Sequence, residues 1–321
     1  MREPLFVKQN SEKWKSFENS SAKDPDELAE RFIQITDDLA YAKTFYPQSK
    51  TTAYLNGLAA TLHQSIYKNK QEKSNRFITY WKYELPVMFW TYRRQLLYAL
   101  IFFIVFCSIG TLSAKYDPRF VRLILGDDYV DMTDANIARH DPFGVYKQEN
   151  PFLMFFAIGG HNIYVSLQIF IAGIFASAGS LFYLFQNGLM LGSFQYFFIS
   201  KNLGMQSVLV IWIHGVLEIS SIVIAGGAGL VLGNSLIFPK TYSRLVSFKR
   251  GAKDGMKITL GLVPIFITAA FFESFVTRHT EMPVWVSSSI LIISLLFIIW
   301  YVILYPRQIV NTQTHEPTTQ S

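Results

Sequence analysis

The longest nearly uncharged stretch of this chain limits what the chain can fold into. Between Asn150 and Pro239 the only formally charged side chains are Lys201 and Glu218. Half of all residues are hydrophobic and 16% are charged, a composition typical of proteins whose solvent is largely lipid. The sequence therefore predicts an all-α, polytopic helical membrane protein. A carboxylate in hydrocarbon is costly unless it is neutralised, paired or wet, so Glu218 is a candidate functional residue.

The first 94 residues are polar and precede any membrane segment. They contain no apolar run of the length that a cleavable signal peptide needs, so we expect a cytoplasmic helical domain over residues 1–75. Asp24 as N-cap and Pro25 at the first helical position predict a helix start. That helix carries one apolar stripe, and a second helix is expected over 50–70, so the pair predicts a helical hairpin.

Residues 76–94 are both aromatic and cationic. Segments of this kind lie in the headgroup layer, where the rings face the acyl chains and the cations meet anionic lipid. The sequence thus predicts an interfacial amphipathic elbow helix that leads into the first span. The alternative is an ordinary solvated helix of the hairpin, which would expose many aromatic rings.

A transmembrane domain is expected over residues 95–305, with about six crossings. A span of about 20 apolar residues covers the hydrocarbon thickness as a helix. Gln186-Asn187-Gly188 is a turn signal, and the segment after it is short, so it is either a thin crossing helix or a re-entrant half-helix. The predicted spans cover residues 95–114, 163–184, 188–200, 205–233, 258–277 and 285–305.

Charge asymmetry predicts the orientation. The loop 234–257 has six basic residues and one acidic residue, and residues 1–94 hold 15 basic residues. These two segments fall on one side only if 188–200 crosses, and the positive-inside rule makes that side the cytoplasm. The loop 115–160, acid-leaning over 115–150, is then external. Both termini are expected in the cytoplasm, and the tail 306–321 is expected to be disordered.

The candidate site is an intramembrane polar pair. His214 and Glu218 are four residues apart, so they share one face of a helix. They either line a proton-responsive or substrate-contacting cavity, or form a hydrogen-bond clasp between helices. Gln186 and Asn187 are the expected uncharged partners, while Glu273 is expected at the interface.

Metal and enzyme chemistry find little support in the sequence. His214 and Glu218 supply two ligands, and a third from His161 would require a contact that spacing does not predict, so we expect no metal and no cofactor. There is no H-E-x-x-H helix and no G-x-S-x-G motif. The sequence predicts a non-enzymatic protein that does not bind nucleic acid.

Small residues recur at four-residue spacing, which lets helix backbones approach closely in lipid. The positions expected to pack helices in this way are Gly173, Ser177, Gly188, Gly192, Ala225, Gly229 and Gly233.

The succession of these motifs resembles a known family. Phe185-Gln186-Asn187-Gly188-Leu189-Met190-Leu191-Gly192, His214-Gly215-Val216-Leu217-Glu218 and Ala225-Gly226-Gly227-Ala228-Gly229 together resemble the integral-membrane family of stage II sporulation protein M. The soluble extension is similar to that of larger, mostly non-sporulating bacterial members. The resemblance implies a bacterial inner-membrane protein, and the sporulation member works with a peptidoglycan-degrading complex.

Two hypotheses of function follow. The first is a membrane scaffold in an envelope-related complex, which binds the lipid bilayer and recruits protein partners at the cytoplasmic face. The second is a permease or the membrane subunit of a transporter, with the cavity at Glu218 as its pathway. No Gly-rich phosphate loop is present, so a transporter would need a separate energy source. A homo-oligomer is compatible with both.

Overall fold

The computed structural model describes residues 2–19, 25–68, 76–147 and 149–315. The chain divides into two compact units, and the boundary along the sequence falls between Phe77 and Ile78. No strand occurs in these ranges, so the described part of the protein is helical apart from turns.

The N-terminal unit contains three helices: α1 (Glu3–Asn19), α2 (Pro25–Phe45) and α3 (Lys50–Lys68). The sequence predicted a hairpin, and α1 is the addition. Its apolar stripe is thin, but Phe6 and Trp14 are buried in the unit's core, and Trp14 Nε1 donates a hydrogen bond to Asp38 Oδ2 at 2.7 Å. Asp24, the predicted N-cap of α2, lies outside the described residues.

The predicted elbow, residues 76–94, begins at the end of the first unit and continues into the second. It consists of α4 (Arg76–Thr79), a π-helical turn (Tyr80–Glu84) and α5 (Leu85–Thr91), followed by α6 (Arg93–Tyr116). Phe89, an expected lipid-facing ring, is 1% exposed and lies in the protein core. Phe77 and Tyr83 are exposed, and membrane contact by these two rings stays a prediction.

The acid-leaning loop folds into α7 (Pro118–Leu125), α8 (Asp127–Ala138) and a 3₁₀ turn (Gly144–Lys147). We call residues 117–150 the acidic loop. Its apolar side chains form a second core together with residues of the bundle, in which Val130 and Phe143 pack with Phe198. The loop was predicted to reach residue 160, but it ends at Asn150, whose side chain caps the next helix by accepting from Phe152 N at 2.9 Å.

That helix, α9 (Pro151–Ala172), and its successor α10 (Ala178–Ser200) replace the predicted spans 163–184 and 188–200. The turn lies at 173–177, where Ala176 and Ser177 have positive φ. The predicted turn at Gln186-Asn187-Gly188 was wrong. Asn187 Nδ2 donates to its own helix at Tyr183 O, 2.9 Å away, and Gly188 faces α6.

The remaining chain is a long central helix and two helical crossings around it. The elements are α11 (Gly204–Ile237), α12 (Arg244–Gly261), α13 (Val263–Phe271), a π turn (Phe272–Val276), α14 (Val284–Ile299), a π turn (Trp300–Leu304) and α15 (Tyr305–His315). The predicted basic loop 234–257 is therefore helical at both ends, and only residues 238–243 connect α11 to α12. We keep the name basic loop for residues 234–257. The tail was predicted to be disordered from residue 306, but α15 is helical because it packs on α5. Residues 316–321 lie outside the described ranges.

Five helical segments of the described chain are long and apolar enough to cross a membrane. The sixth helix, α10, has 23 uncharged residues, and its amides, serines and glycines lower its hydropathy. Its beginning lies against the end of α11, at Ser177 and Gly233. Its far end is tied to the acidic loop by an ion pair, with Lys201 Nζ 2.7 Å from Asp134 Oδ1. It therefore runs through the bundle from one end to the other, as a crossing helix does.

Glycine allows the closest helix contacts. A Cβ atom on Gly192 would overlap the carbonyl oxygen of Cys107 on α6, and one on Gly173 would overlap that of Gly229. Backbones that touch in this way gain packing that larger residues would prevent. Of the other predicted packing positions, Ala225 is fully buried, and Gly188, Gly229 and Gly233 each lie against a neighbouring helix.

Candidate functional site

The site is built on one face of α11, where residues four and three apart lie above one another. His214 is 4% exposed, Ser221 is fully buried, and Glu218 between them is partly buried. α11 is the central helix, so these polar side chains point at neighbouring helices. The sequence predicted His214 and Glu218 as a pair, and the structure puts both in one cluster with a third residue.

That third residue is Glu273, which was expected at the interface. Its side chain is 15% exposed, and its Oε1 lies 3.9 Å from His214 Nε2. One ligand atom each from His214, Glu218 and Glu273 lies within 4.8 Å of the others. Glu273 is carried by a π turn, a type of distortion that is frequent at functional sites. We call these three residues the His-Glu-Glu cluster.

Two further residues hold the imidazole of His214. Thr277 Oγ1 lies 3.0 Å from His214 Nδ1, so the ring's second nitrogen is engaged while Nε2 faces Glu273. Tyr146 of the acidic loop packs its ring edge-on, with centroids 5.9 Å apart. Burial, and to a lesser degree the nearby Glu273 carboxylate, raise the pKa of Tyr146 well above its ordinary value. Tyr146 therefore stays a neutral phenol beside the cluster.

Asn162 of α9 provides an amide next to Glu218. It is 5% exposed, and its Nδ2 has no partner within hydrogen-bonding geometry. The buried hydroxyls of Ser221 and Ser274 also lack a partner in the part of the chain that the structure describes. Unpartnered buried polar atoms are uncommon in native proteins, and each one needs an explanation.

Across residues 2–19, 25–68, 76–147 and 149–315, no lysine or arginine forms an ion pair with Glu218 or Glu273. Lys201, the nearest cation by sequence, pairs with Asp134. Arg278 donates to the carbonyl oxygens of Lys147 and Glu149, and so holds the acidic loop to the end of the π turn. The two carboxylates thus face an imidazole and neutral groups.

The other predicted partners lie elsewhere. Gln186 is exposed on α10, and Asn187 bonds to its own helix, so Asn162 takes the position beside Glu218 that was expected of them. His161, the third metal ligand considered from the sequence, is exposed on α9. The sequence did hold a signal for Glu273, because it is the only formally charged residue between Lys257 and Arg278.

The cluster lies at one edge of an uncharged layer. Between the cluster and the basic loop, no helix of the bundle carries an aspartate, glutamate, lysine, arginine or histidine. The uncharged ranges are 95–114, 163–200, 219–239, 258–272 and 282–306. The charged residues that bound these ranges toward the basic loop are Arg94, Lys240, Lys257 and Arg307. Sixteen residues separate Lys257 from Glu273, which is about 24 Å along a helix.

The fold and this site define an all-α polytopic membrane protein with a histidine-carboxylate cluster under a folded loop. The family model of stage II sporulation protein M matches residues 99–278, and the chain belongs to this family. Residues 4–68 match a domain of unknown function, DUF8413. No curated protein and no solved structure matches the chain.

Proposed function

We propose that this protein is a non-enzymatic scaffold in an envelope-related complex of the bacterial inner membrane. Its transmembrane bundle anchors the complex in the lipid bilayer, and its basic loop binds protein partners. In this proposal both termini and the basic loop are cytoplasmic, and the acidic loop is external. Family membership supports the membrane location, and the excess of basic residues supports the orientation.

The uncharged layer is the observation that carries the proposal. A permease needs polar groups along a path to both sides, since ions and protons move between sites that can bind them. Below Glu218, α11 is buried without interruption from Ser221 to Gly233, and Ser221 is the only polar side chain in that stretch. Contacts at Gly229 and Gly233 close the gap to α9 and α10. The His-Glu-Glu cluster thus has no charged path along α11 to the basic loop.

One observation favours a second candidate, a permease or transporter subunit. Two carboxylates and an imidazole without a basic partner are typical of proton and cation pathways. Transport would require the bundle to open along the helix contacts at Gly173, Gly229 and Gly233. The scaffold requires no such movement.

The test is to isolate the complex from native membranes and to measure flux separately. We expect tagged wild-type protein to retain a stoichiometric partner, and Lys249→Glu/Lys253→Glu, on the exposed face of the basic loop, to lose it. Arg119→Glu is the matched control, because Arg119 is an exposed cation of the acidic loop. Purified protein in liposomes should not carry protons or cations across the bilayer. Flux that Glu218→Gln abolishes would contradict the scaffold and establish the permease.

A further inference from the structure

From its geometry we infer that the His-Glu-Glu cluster binds one divalent transition-metal ion, of which Zn²⁺ is the representative. This goes beyond the proposed function and does not depend on it, because a scaffold and a permease could both hold such an ion. The ligands are His214 Nε2 and one carboxylate oxygen each from Glu218 and Glu273.

The donor types fit the ion. Zinc is bound by histidine nitrogen and by carboxylate oxygen at about 2.0–2.2 Å, and three protein ligands leave a fourth position open. Ligand atoms of a tetrahedral site then lie about 3.4 Å apart. His214 Nε2 and Glu273 Oε1 are 3.9 Å apart, so a small movement of side chains closes the site.

The surroundings fit as well. A metal-binding histidine almost always uses its other ring nitrogen to donate to a neighbour, which fixes the tautomer. His214 Nδ1 lies 3.0 Å from such a neighbour, Thr277 Oγ1, and in the tautomer with the proton on Nδ1 the Nε2 lone pair faces Glu273. Two carboxylates beside a neutral imidazole also carry a double negative charge when ionised. Buried charge of this size is paired or coordinates a metal, and no lysine or arginine of the described residues pairs with it.

The orphaned polar atoms give an independent indication. Asn162 is 95% buried beside Glu218, and one of its amide atoms lacks a partner. Amide oxygen and nitrogen are assigned from their hydrogen bonds, and here no bond settles the choice. An amide next to a metal carboxylate can act as an outer partner of that ligand or of a water in the open position.

The experiment uses the full-length protein in detergent, stripped by a chelator and dialysed. Zn²⁺ is titrated and the bound metal is counted by mass spectrometry. We expect one ion per chain and a rise in the melting temperature. Glu273→Gln and His214→Ala should weaken binding by at least the roughly 10- to 100-fold that loss of an outer-shell partner costs.

Two matched controls should keep full binding. His161→Ala removes an exposed histidine directly before Asn162 in the chain, and Glu281→Gln removes an exposed carboxylate close to Glu273 in sequence. Cu²⁺ added to wild type at one equivalent gives a second measurement that needs no folded variant, since its paramagnetic resonance spectrum should show one coordinating imidazole. Wild type that binds no Zn²⁺, or Glu273→Gln that binds like wild type, would overturn the inference.

Discussion

At the scale of residues, Glu218 and Glu273 differ in how firmly the fold holds them. Glu218 sits on the most buried helix of the bundle, next to the amide of Asn162, whose Nδ2 has no partner. Glu273 sits on a π turn near the end of its helix, where the backbone deviates from α geometry. An apolar side chain at position 218 would therefore lie among buried polar atoms that it cannot satisfy.

We therefore expect Glu218→Leu to destabilise the metal-free protein more than Glu218→Gln. Leucine offers no hydrogen-bonding group to the buried polar atoms around it, and a buried polar group left unsatisfied costs about 1–3 kcal/mol, whereas glutamine still offers an acceptor and a donor. The free energy of unfolding in detergent with chelator present is the measurement. Glu281→Gln serves as the control for loss of an exposed charge. Equal stability of the Leu and Gln variants would show that the cluster has no structural role when empty.

How far the site could be predicted from the sequence depended on the residue. His214 and Glu218 follow from helical spacing, because both lie on one element. Glu273 and Asn162 belong to other helices, and no spacing rule says which faces of different helices meet. Glu273 stands out in the sequence because no other charged residue lies near it. Its burial could not be predicted, because it depends on how the acidic loop folds over the cluster.

At the scale of elements, the contact between α6 and α10 depends on the absence of side chains. A methyl group on Gly192 would collide with the backbone of Cys107, and backbone cannot move aside as a side chain can. Gly160 on α9 has open space around its Cα, so it provides a direct comparison in the same bundle.

Gly192→Ala should destabilise the protein by roughly 1–3 kcal/mol, the usual cost of overpacking. Gly160→Ala should be neutral or stabilising by up to about 1 kcal/mol, because alanine is the better helix former. Unfolding in a detergent series compares the two. If both substitutions have the same effect, the close approach of α6 and α10 does not contribute to stability.

The misplaced turn shows where prediction from local sequence fails. Gln-Asn-Gly ends helices in water, where the freed backbone groups are solvated. Inside the bundle the same residues continue α10, because Asn187 bonds back to Tyr183 and Gly188 fits against α6. The real turn uses Ala176 and Ser177 in left-handed conformations, which are rare for residues other than glycine, asparagine and aspartate. The residue types alanine and serine therefore do not indicate a turn at this position.

At the scale of the whole molecule, the two ends of the bundle carry opposite charge bias. The first, third and fifth crossings run toward the acidic loop, and the second, fourth and sixth run back. This alternation was predicted from charge and from parity, which depend on composition rather than on exact helix boundaries. Five helices of the described chain have the length and hydropathy of a span, and α10 is counted as the sixth from its course through the bundle. The helices predicted to start at residues 163 and 188 start 12 and 10 residues earlier, at Pro151 and Ala178.

Labelling of intact cells tests the orientation. In a Cys107→Ser background, a cysteine at Arg119 should react with an impermeant maleimide, because that side chain is 92% exposed on the acidic loop. A cysteine at Lys249, exposed on the basic loop, should react only after the cells are opened. Reaction of the cysteine at position 249 in intact cells would contradict the predicted orientation.

The elbow depends on contacts with segments that are synthesised much later. Tyr80 donates to the carbonyl oxygen of Lys257, and Tyr301 donates to that of Trp81, 220 residues earlier in the chain. At about 5–20 residues per second, a ribosome needs roughly 10–40 s to cover that distance. Throughout that interval the elbow's backbone acceptors have no partner from the last crossing. The elbow therefore completes its hydrogen bonds only after the last helix has been synthesised. A chaperone or protease has tens of seconds in which to bind the incomplete chain.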